Sequence, residues 1–464
     1  MDKQAVRKDL ERILDARRVL MEPEDLVSFR NDAYPYRAQP DAAVMVTTVE
    51  EIQNLVRYAE KHEIPLVPRA AATDLAGACA PVTGGIVVDL KLMDKILEID
   101  KGNLTATVEC GVVNMTLRQA VEAIGLYYPP DPASYTVSTL GGNVATRAGG
   151  PGCVKYGTTE DYLRGLEAVV GGGEVISSGG KTAKYSSGYD LHHLFAGSEG
   201  TLGFITKCTF KLIPKPETKK TMLAIFKTID DAANAVSAII ARGITPVTLE
   251  LIDIVTAQCV EAWKPCGLPT DKDGILLIEV DGDAERVEKE AKQIEEVCKE
   301  MGAESFETAQ TQAEAETLMA GRRSAFAAFA QQYPTVVVED ITVPRTMIPE
   351  VVRRCRESLE KYQLVGTVMG HAGDGNMHPN IMCDINNHEE MVRVEACLAE
   401  MAKHGLELGG TVSGEHGIGI AKSRYFPWEH SESTRRIMMG IKDVFDPKGI
   451  FNPTKIFVEG GELV

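Results

Sequence analysis

Apolar residues at helical spacing (Val6, Leu10, Ile13, Leu14, Leu20) predict an opening helix over residues 2–20. From about 40 to 215 short β-branched runs alternate with helical stretches. This pattern predicts strands at 43–48, 65–68, 85–90 and 104–109, and helices at 49–62 and 114–125. Such a pace indicates an α+β or α/β domain. Pro214 and Pro216 mark a change of character. Beyond them, strand and helix at 221–226 and 230–242 are echoed at 274–280 and 283–301. Units of this kind build a sheet with helices on one face. A helix at 347–362, an apolar strand at 365–369 and a helix at 388–403 follow, and a glycine-rich segment leads to 445–457. The glycine run 171–173, between two β-like segments, reads as a hairpin.

The 464-residue length calls for two or three domains. A net charge of -18 argues against nucleic acid and polybasic membrane attachment, and means that a small anionic substrate needs a locally positive site. The ten cysteines include no C-x-x-C pair, which suits reduced thiols in a cytoplasm. The first twenty residues are charged and amphipathic, unlike a signal peptide, and no apolar run reaches the length of a membrane span. The expectation is a soluble, cytoplasmic protein.

Three glycine-rich stretches stand out in the first half. The first holds Pro68, Arg69, Ala70, Ala71, Ala72, Thr73, Asp74 and Gly77, directly after a predicted strand. Small residues there let successive backbone N–H groups approach an anion, a nest suited to a pyrophosphate. The second contains Ser138, Thr139, Gly141, Gly142, Asn143, Ala145 and Gly149; the third contains Glu199, Gly200 and Gly203, followed by Ile205. Taken singly, each reads equally as a tight turn. None fits G-x-G-x-x-G with a following acidic residue, so a nicotinamide-type site has no support.

The second half carries a sharper signal. Residues 370–380, GHAGDGNMHPN, follow the apolar strand, and residues 413–419, SGEHGIG, come later. Two imidazoles and a carboxylate suit Zn²⁺, Fe²⁺ or Mn²⁺ and leave positions open for substrate oxygens. His371, His378 and Glu415 are the candidate ligands. Alternatively, these histidines cap turns or satisfy buried polar groups. His62, His192, His193, His388, His404 and His430 are assigned surface or structural roles.

Together these stretches resemble the glycolate oxidase and D-lactate dehydrogenase branch of the FAD-linked oxidases, the family that includes vanillyl-alcohol oxidase. The likeness runs from about residue 40 to 457 and includes the closing motif FNPTK at 451–455. It implies an α+β fold: a two-subdomain FAD-binding domain of the vanillyl-alcohol oxidase type over 1–216, an α+β cap with an antiparallel sheet over 217–420, and a return to the FAD domain over 421–464. By the same likeness the 68–77 and 138–150 stretches hold the FAD pyrophosphate and neighbouring groups. The 197–203 stretch and Ile205 line the adenine and ribose side, and Asn452 of the closing motif joins the cofactor set. Relatives usually carry Arg-Gly-Gly-Gly-Thr where this chain has Arg69-Ala-Ala-Ala-Thr73, and alanine tolerates positive φ poorly. The loop lacks the histidine that some relatives bond to flavin, which implies noncovalent FAD.

In metal-dependent members two histidines and a glutamate bind the ion, and the histidine after that glutamate, here His416, is the base. Asn380 falls where relatives contact substrate, and Arg322 matches an arginine that holds the α-carboxylate. Members acting on 2-hydroxyglutarate carry a lysine where this chain has Val338, two residues before Asp340, which points to a monocarboxylate. The expected activity is therefore FAD-dependent oxidation of a small D-2-hydroxy acid, D-lactate first and glycolate as alternative. The expected electron acceptor is an electron-transferring flavoprotein, in some relatives within a bifurcating complex. Quinone or cytochrome acceptors, a metallohydrolase, and a flavin-binding carrier or scaffold protein are the rivals.

Overall fold

The computed structural model describes residues 3–457. Those residues form two units: one comprises the chain up to Ala148, Thr158–Lys215 and the residues from Glu415 onward, and the other comprises Gly149–Gly157 and Pro216–Gly414.

In the first unit, strands Ala42–Met45, Ile86–Asp89 and Leu66–Arg69 lie parallel in that order, with Val19–Leu20 antiparallel on the edge. Helix Val49–His62 links the first and third of these along the chain. Thr48 caps it by accepting the Glu51 N–H, and Ile52, Leu55, Val56 and Ala59 form its buried stripe. A second, antiparallel sheet runs Ile96–Asp100, Thr105–Glu109, Phe204–Lys211, Leu163–Val170, Glu174–Gly179. The glycine run Gly171–Gly173 joins its last two strands as a hairpin, as its composition predicted.

The opening helix is shorter than its periodicity suggested. It ends at Ile13; Asp15 then accepts the Arg17 N–H to start a new turn, and Val19–Leu20 pairs with the sheet. Beyond Ile13, Leu14 is buried at the helix end and Leu20 is half-buried in the edge strand. Several helices had no expectation, among them Ile254–Trp263, Gln312–Arg323, Ala325–Gln332, Leu140–Thr146 and Glu432–Phe445. Leu140–Thr146 lies inside a glycine-rich stretch, and Glu432–Phe445 is exposed enough to bury none of its residues.

The second unit is built on an eight-stranded antiparallel sheet. Its path is Ser305–Thr308, Thr218–Phe226, Gly274–Gly282, Thr248–Ile252, Val365–His371, Asn376–Cys383, Thr335–Val338, and Ile341–Thr342 also pairs with Asn376–Cys383. The expectation of helices on one face is corrected here. Leu276, Ile278 and Val280 pack with helices Ile229–Ala241, Ala284–Glu300 and Ile348–Lys361. Their alternates Ile275 and Leu277 pack with residues of Ile254–Trp263 and Ala325–Gln332. Gly274–Gly282 is buried at every position but the last, with the apolar run Ile275–Ile278 at its centre, because both of its faces are covered. No described helix is long and apolar enough to cross a membrane.

Candidate functional site

In the second unit His371 ends strand Val365–His371, and His378 lies on the adjacent strand opposite Met369. Side chains two apart on one strand share a face, so His378 and His371 become diagonal neighbours. Their ring centroids lie 5.0 Å apart at 84°. The turn between the strands needs Gly375: it sits at φ +92°, and a Cβ there would fall 2.1 Å from the Val343 carbonyl oxygen. Both imidazoles are buried, 7% and 5% exposed.

Each ring has its Nδ1 fixed. His371 Nδ1 donates to Glu250 Oε1 at 2.6 Å, and His378 Nδ1 donates to the Glu339 carbonyl at 3.3 Å. A metal-ligating imidazole uses its second nitrogen in this way, so an ion held here would meet Nε2 of both rings. Glu250 is fully buried on strand Thr248–Ile252, and its other oxygen lies 2.7 Å from Arg322 Nη2. Burial raises the Glu250 carboxyl, but the charges of His371 and Arg322 outweigh it and the net shift is downward. Arg322, on helix Gln312–Arg323, is itself buried. Its Nε and Nη2 make no hydrogen bond, the contact to Glu250 being an ion pair of poor angle. The positive charge expected of a carboxylate-holding residue is therefore present, but half-neutralised. Sequence reasoning missed Glu250. Its signal was an acidic residue between two leucines in a strand buried at every position.

Asn380 is fully buried; its Nδ2 donates to the His378 carbonyl at 2.7 Å, and its Oδ1 has no hydrogen-bond partner. Asp340, only a landmark in the sequence, ties strand Asn376–Cys383 to the segment at 413–414. It accepts from Asn376 Nδ2 at 2.6 Å, Ser413 Oγ at 2.8 Å and Gly414 N–H at 2.8 Å. Glu415 is the next residue of the chain, the first of the other unit. Val338 stands opposite Asn380 in the sheet register.

In the first unit the three glycine-rich stretches converge. Glu199 N–H donates to the Ala145 carbonyl at 2.8 Å, and Gly200 packs so closely on Pro68 that a Cβ would lie 2.8 Å from its ring. Asn452 Nδ2 donates to the carbonyls of Ala78 and Glu199, at 2.9 and 2.6 Å. Thr139 caps helix Leu140–Thr146, which carries Gly141, Gly142, Asn143 and Ala145. Ala70, Ala71 and Thr73 are half-buried in the loop after Leu66–Arg69, and Ala72 adopts φ +53°. Gly77 and Gly203 are buried; Gly149 falls in the second unit. His416 follows Glu415, their side chains 3.9 Å apart.

Several side chains expected at the cofactor make hydrogen bonds within the protein. Glu199 Oε1 accepts the Ile418 N–H at 2.6 Å and Oε2 the Gly419 N–H at 2.7 Å. It thereby holds the end of the motif that contains Glu415 and His416. Arg69 donates to the carbonyls of Asn31 and Ser28, both at 2.8 Å, and Asp74 accepts the N–H groups of Ala76 and Ala78. Ile205 is buried in strand Phe204–Lys211. Arg69 and Glu199 find partners distant in sequence, and Asp74 finds its own within the loop.

The FAD expected here meets a fitting set of residues. Ser138 Oγ and Asn143 Nδ2 are buried, at 3% exposure each, without a hydrogen-bond partner. A buried polar atom left unpaired costs about 1–3 kcal/mol, which polar groups of a bound cofactor relieve. For the cation, the donor set of two oriented imidazoles in the second unit fits.

Residues 40–179 match the FAD binding domain family, and residues 215–456 match the C-terminal domain of FAD linked oxidases. The chain is 46% identical over 429 residues to glycolate oxidase subunit GlcD of Bacillus subtilis, covering 92% of this chain and 91% of that protein. It is 34% identical over 452 residues to a D-lactate dehydrogenase of Anaerostipes hadrus, covering 95% and 94%. Among solved structures, p-cresol methylhydroxylase with substrate bound superposes with a TM-score of 0.82 at 21% identity, covering 98% of this chain and 97% of that one. The last likeness establishes the vanillyl-alcohol oxidase type of fold. The chain belongs to the FAD-linked oxidases, as an oxidoreductase of the branch that holds glycolate oxidase subunit GlcD and D-lactate dehydrogenase.

Proposed function

We propose that the protein oxidises a small 2-hydroxy monocarboxylate, D-lactate or glycolate, with FAD and a divalent cation held by His371, His378 and Glu415. The observation that carries the reading is the buried imidazole pair with both Nδ1 atoms committed to acceptors. Bound FAD supplies the hydride acceptor, and a bound divalent cation supplies Lewis acidity toward the substrate hydroxyl. The chain's own residues do the rest. Arg322 spends its unused N–H groups on the substrate carboxylate and so fixes which face of C2 is presented. His416 takes the hydroxyl proton as the general base. Asn380 Oδ1 offers a buried acceptor to the substrate. Val338 supplies no cation for a second carboxylate, which favours monocarboxylates.

Identity to the glycolate oxidase protein exceeds that to the D-lactate dehydrogenase, so glycolate stands beside D-lactate as a specific second reading. Anaerobic titration of the flavoprotein with D-lactate, L-lactate, glycolate and D-2-hydroxyglutarate tests both. Bleaching of the visible flavin band by D-lactate or glycolate is expected. A flavin that stays oxidised with every acid overturns the proposal.

A further inference from the structure

Glu250 is an acidic side chain with no solvent exposure, on the central strand Thr248–Ile252 of the second unit. Burying a lone carboxylate costs several kcal/mol, so its two partners must compensate. Both are donors. His371 Nδ1 lies 2.6 Å from Oε1, and Arg322 Nη2 lies 2.7 Å from Oε2. One carboxylate thus joins a proposed cation ligand to the proposed anion-binding arginine.

We propose that Glu250 is the positioning residue of this site: it holds His371 in the Nδ1–H tautomer with Nε2 directed to the ion, and with its other oxygen it anchors Arg322. The inference rests on the cation reading above. A carboxylate is specifically required. Glutamine in its place would turn its NH₂ group toward either the His371 N–H or the Arg322 guanidinium, and either orientation opposes two donors. With Arg322 replaced by methionine that conflict disappears, because the amide oxygen can face His371 and its NH₂ group no longer meets a cation.

Zinc affinity of the FAD-loaded protein, measured by competition with a chromophoric chelator, reads this without relying on turnover. The flavin spectrum and melting curve report the fold of each variant. His371→Ala is expected to lose zinc; if it binds as the wild type does, the cation reading itself fails. With that control in place, Glu250→Ala is expected to weaken zinc binding about 10–100-fold. Glu250→Gln should weaken it too, and adding Arg322→Met to Glu250→Gln should restore much of the loss. Should Glu250→Ala not fold, Glu250→Asp carries the test: it keeps the charge but is one methylene too short for both partners, and a several-fold loss is expected. Wild-type affinity in the folded Glu250 variants, with His371→Ala deficient, overturns the role of Glu250 alone.

Discussion

Glu199 Oε2 accepts the backbone N–H of Gly419 at 2.7 Å across 220 positions of sequence, and its other oxygen takes the N–H of Ile418. One buried carboxyl group therefore closes the glycine-framed segment that follows His416. Glutamine at this position turns its NH₂ group against one of the two N–H donors. Glu199→Gln is expected to cost about 1.5–3 kcal/mol of stability. Denaturant unfolding measures that loss, and hydrogen exchange should show faster opening at Ile418 and Gly419. Unchanged protection at both amides would refute the clamp.

Asp340 collects three hydrogen bonds from Asn376, Ser413 and Gly414, and it has no exposure to solvent. Asp340→Ala leaves buried donors without an acceptor and is expected to destabilise the protein by about 3 kcal/mol. Because Gly414 precedes Glu415 directly, bound metal measured by elemental analysis should fall as well. A variant with wild-type stability and metal content would show that Asp340 holds nothing together.

Ala72 occupies a left-handed backbone conformation at φ +53° in the first glycine-type loop. The left-handed region costs a residue with a Cβ roughly 1–2 kcal/mol, and the extra freedom of glycine in the unfolded chain returns about 0.5–1 kcal/mol of that. Ala72→Gly should therefore stabilise the protein by about 0.5–1 kcal/mol and hold FAD at least as tightly. A lower melting temperature would contradict the strain argument.

His416 is the proposed base. Removing a positioned general base slows proton transfer typically about 10²–10⁴-fold. His416→Ala should retain the flavin spectrum and lose anaerobic bleaching by that order in a single-turnover measurement. A bleaching rate within a few-fold of wild type assigns the proton to another group.

Asp32 lies buried beside Asp74, and burial together with that neighbouring charge pushes its carboxyl from the usual 3.8 up to about 8. Between those pH values the folded chain retains a proton that the unfolded chain has released. This group therefore favours the fold most at the acid end of the window. Its support declines as pH rises toward 8, by at most about 1.4 kcal/mol per pH unit. Glu199, raised to about 8 from 4.5, acts in the same direction. Melting temperatures between pH 5 and 8 should fall with rising pH, and Asp32→Asn should flatten the slope.

The features legible in the chain were those that physics settles locally. Helix Val49–His62 announces itself through its apolar stripe and Thr48 cap, and the hairpin at Gly171–Gly173 through its glycines. His371 and His378 were also legible, because one turn between adjacent strands is enough to bring them together. Glu250 and Glu199 were not. Their partners lie 121 and up to 220 positions away.

The sequence by itself determined the alternation of strands and helices and the pair of histidines, since periodicity and turn chemistry act within a few residues, and its short motifs carried the resemblance to a flavoprotein family. Tertiary structure alone decided which charges serve the frame and which face the site. The strand order places Thr248–Ile252 beside Val365–His371, and a buried carboxylate takes whichever donors that neighbourhood supplies. Sheet order also decided that both faces of the second unit's sheet are covered. A strand buried on both faces requires two covering layers, but its own residues do not say which helices provide them.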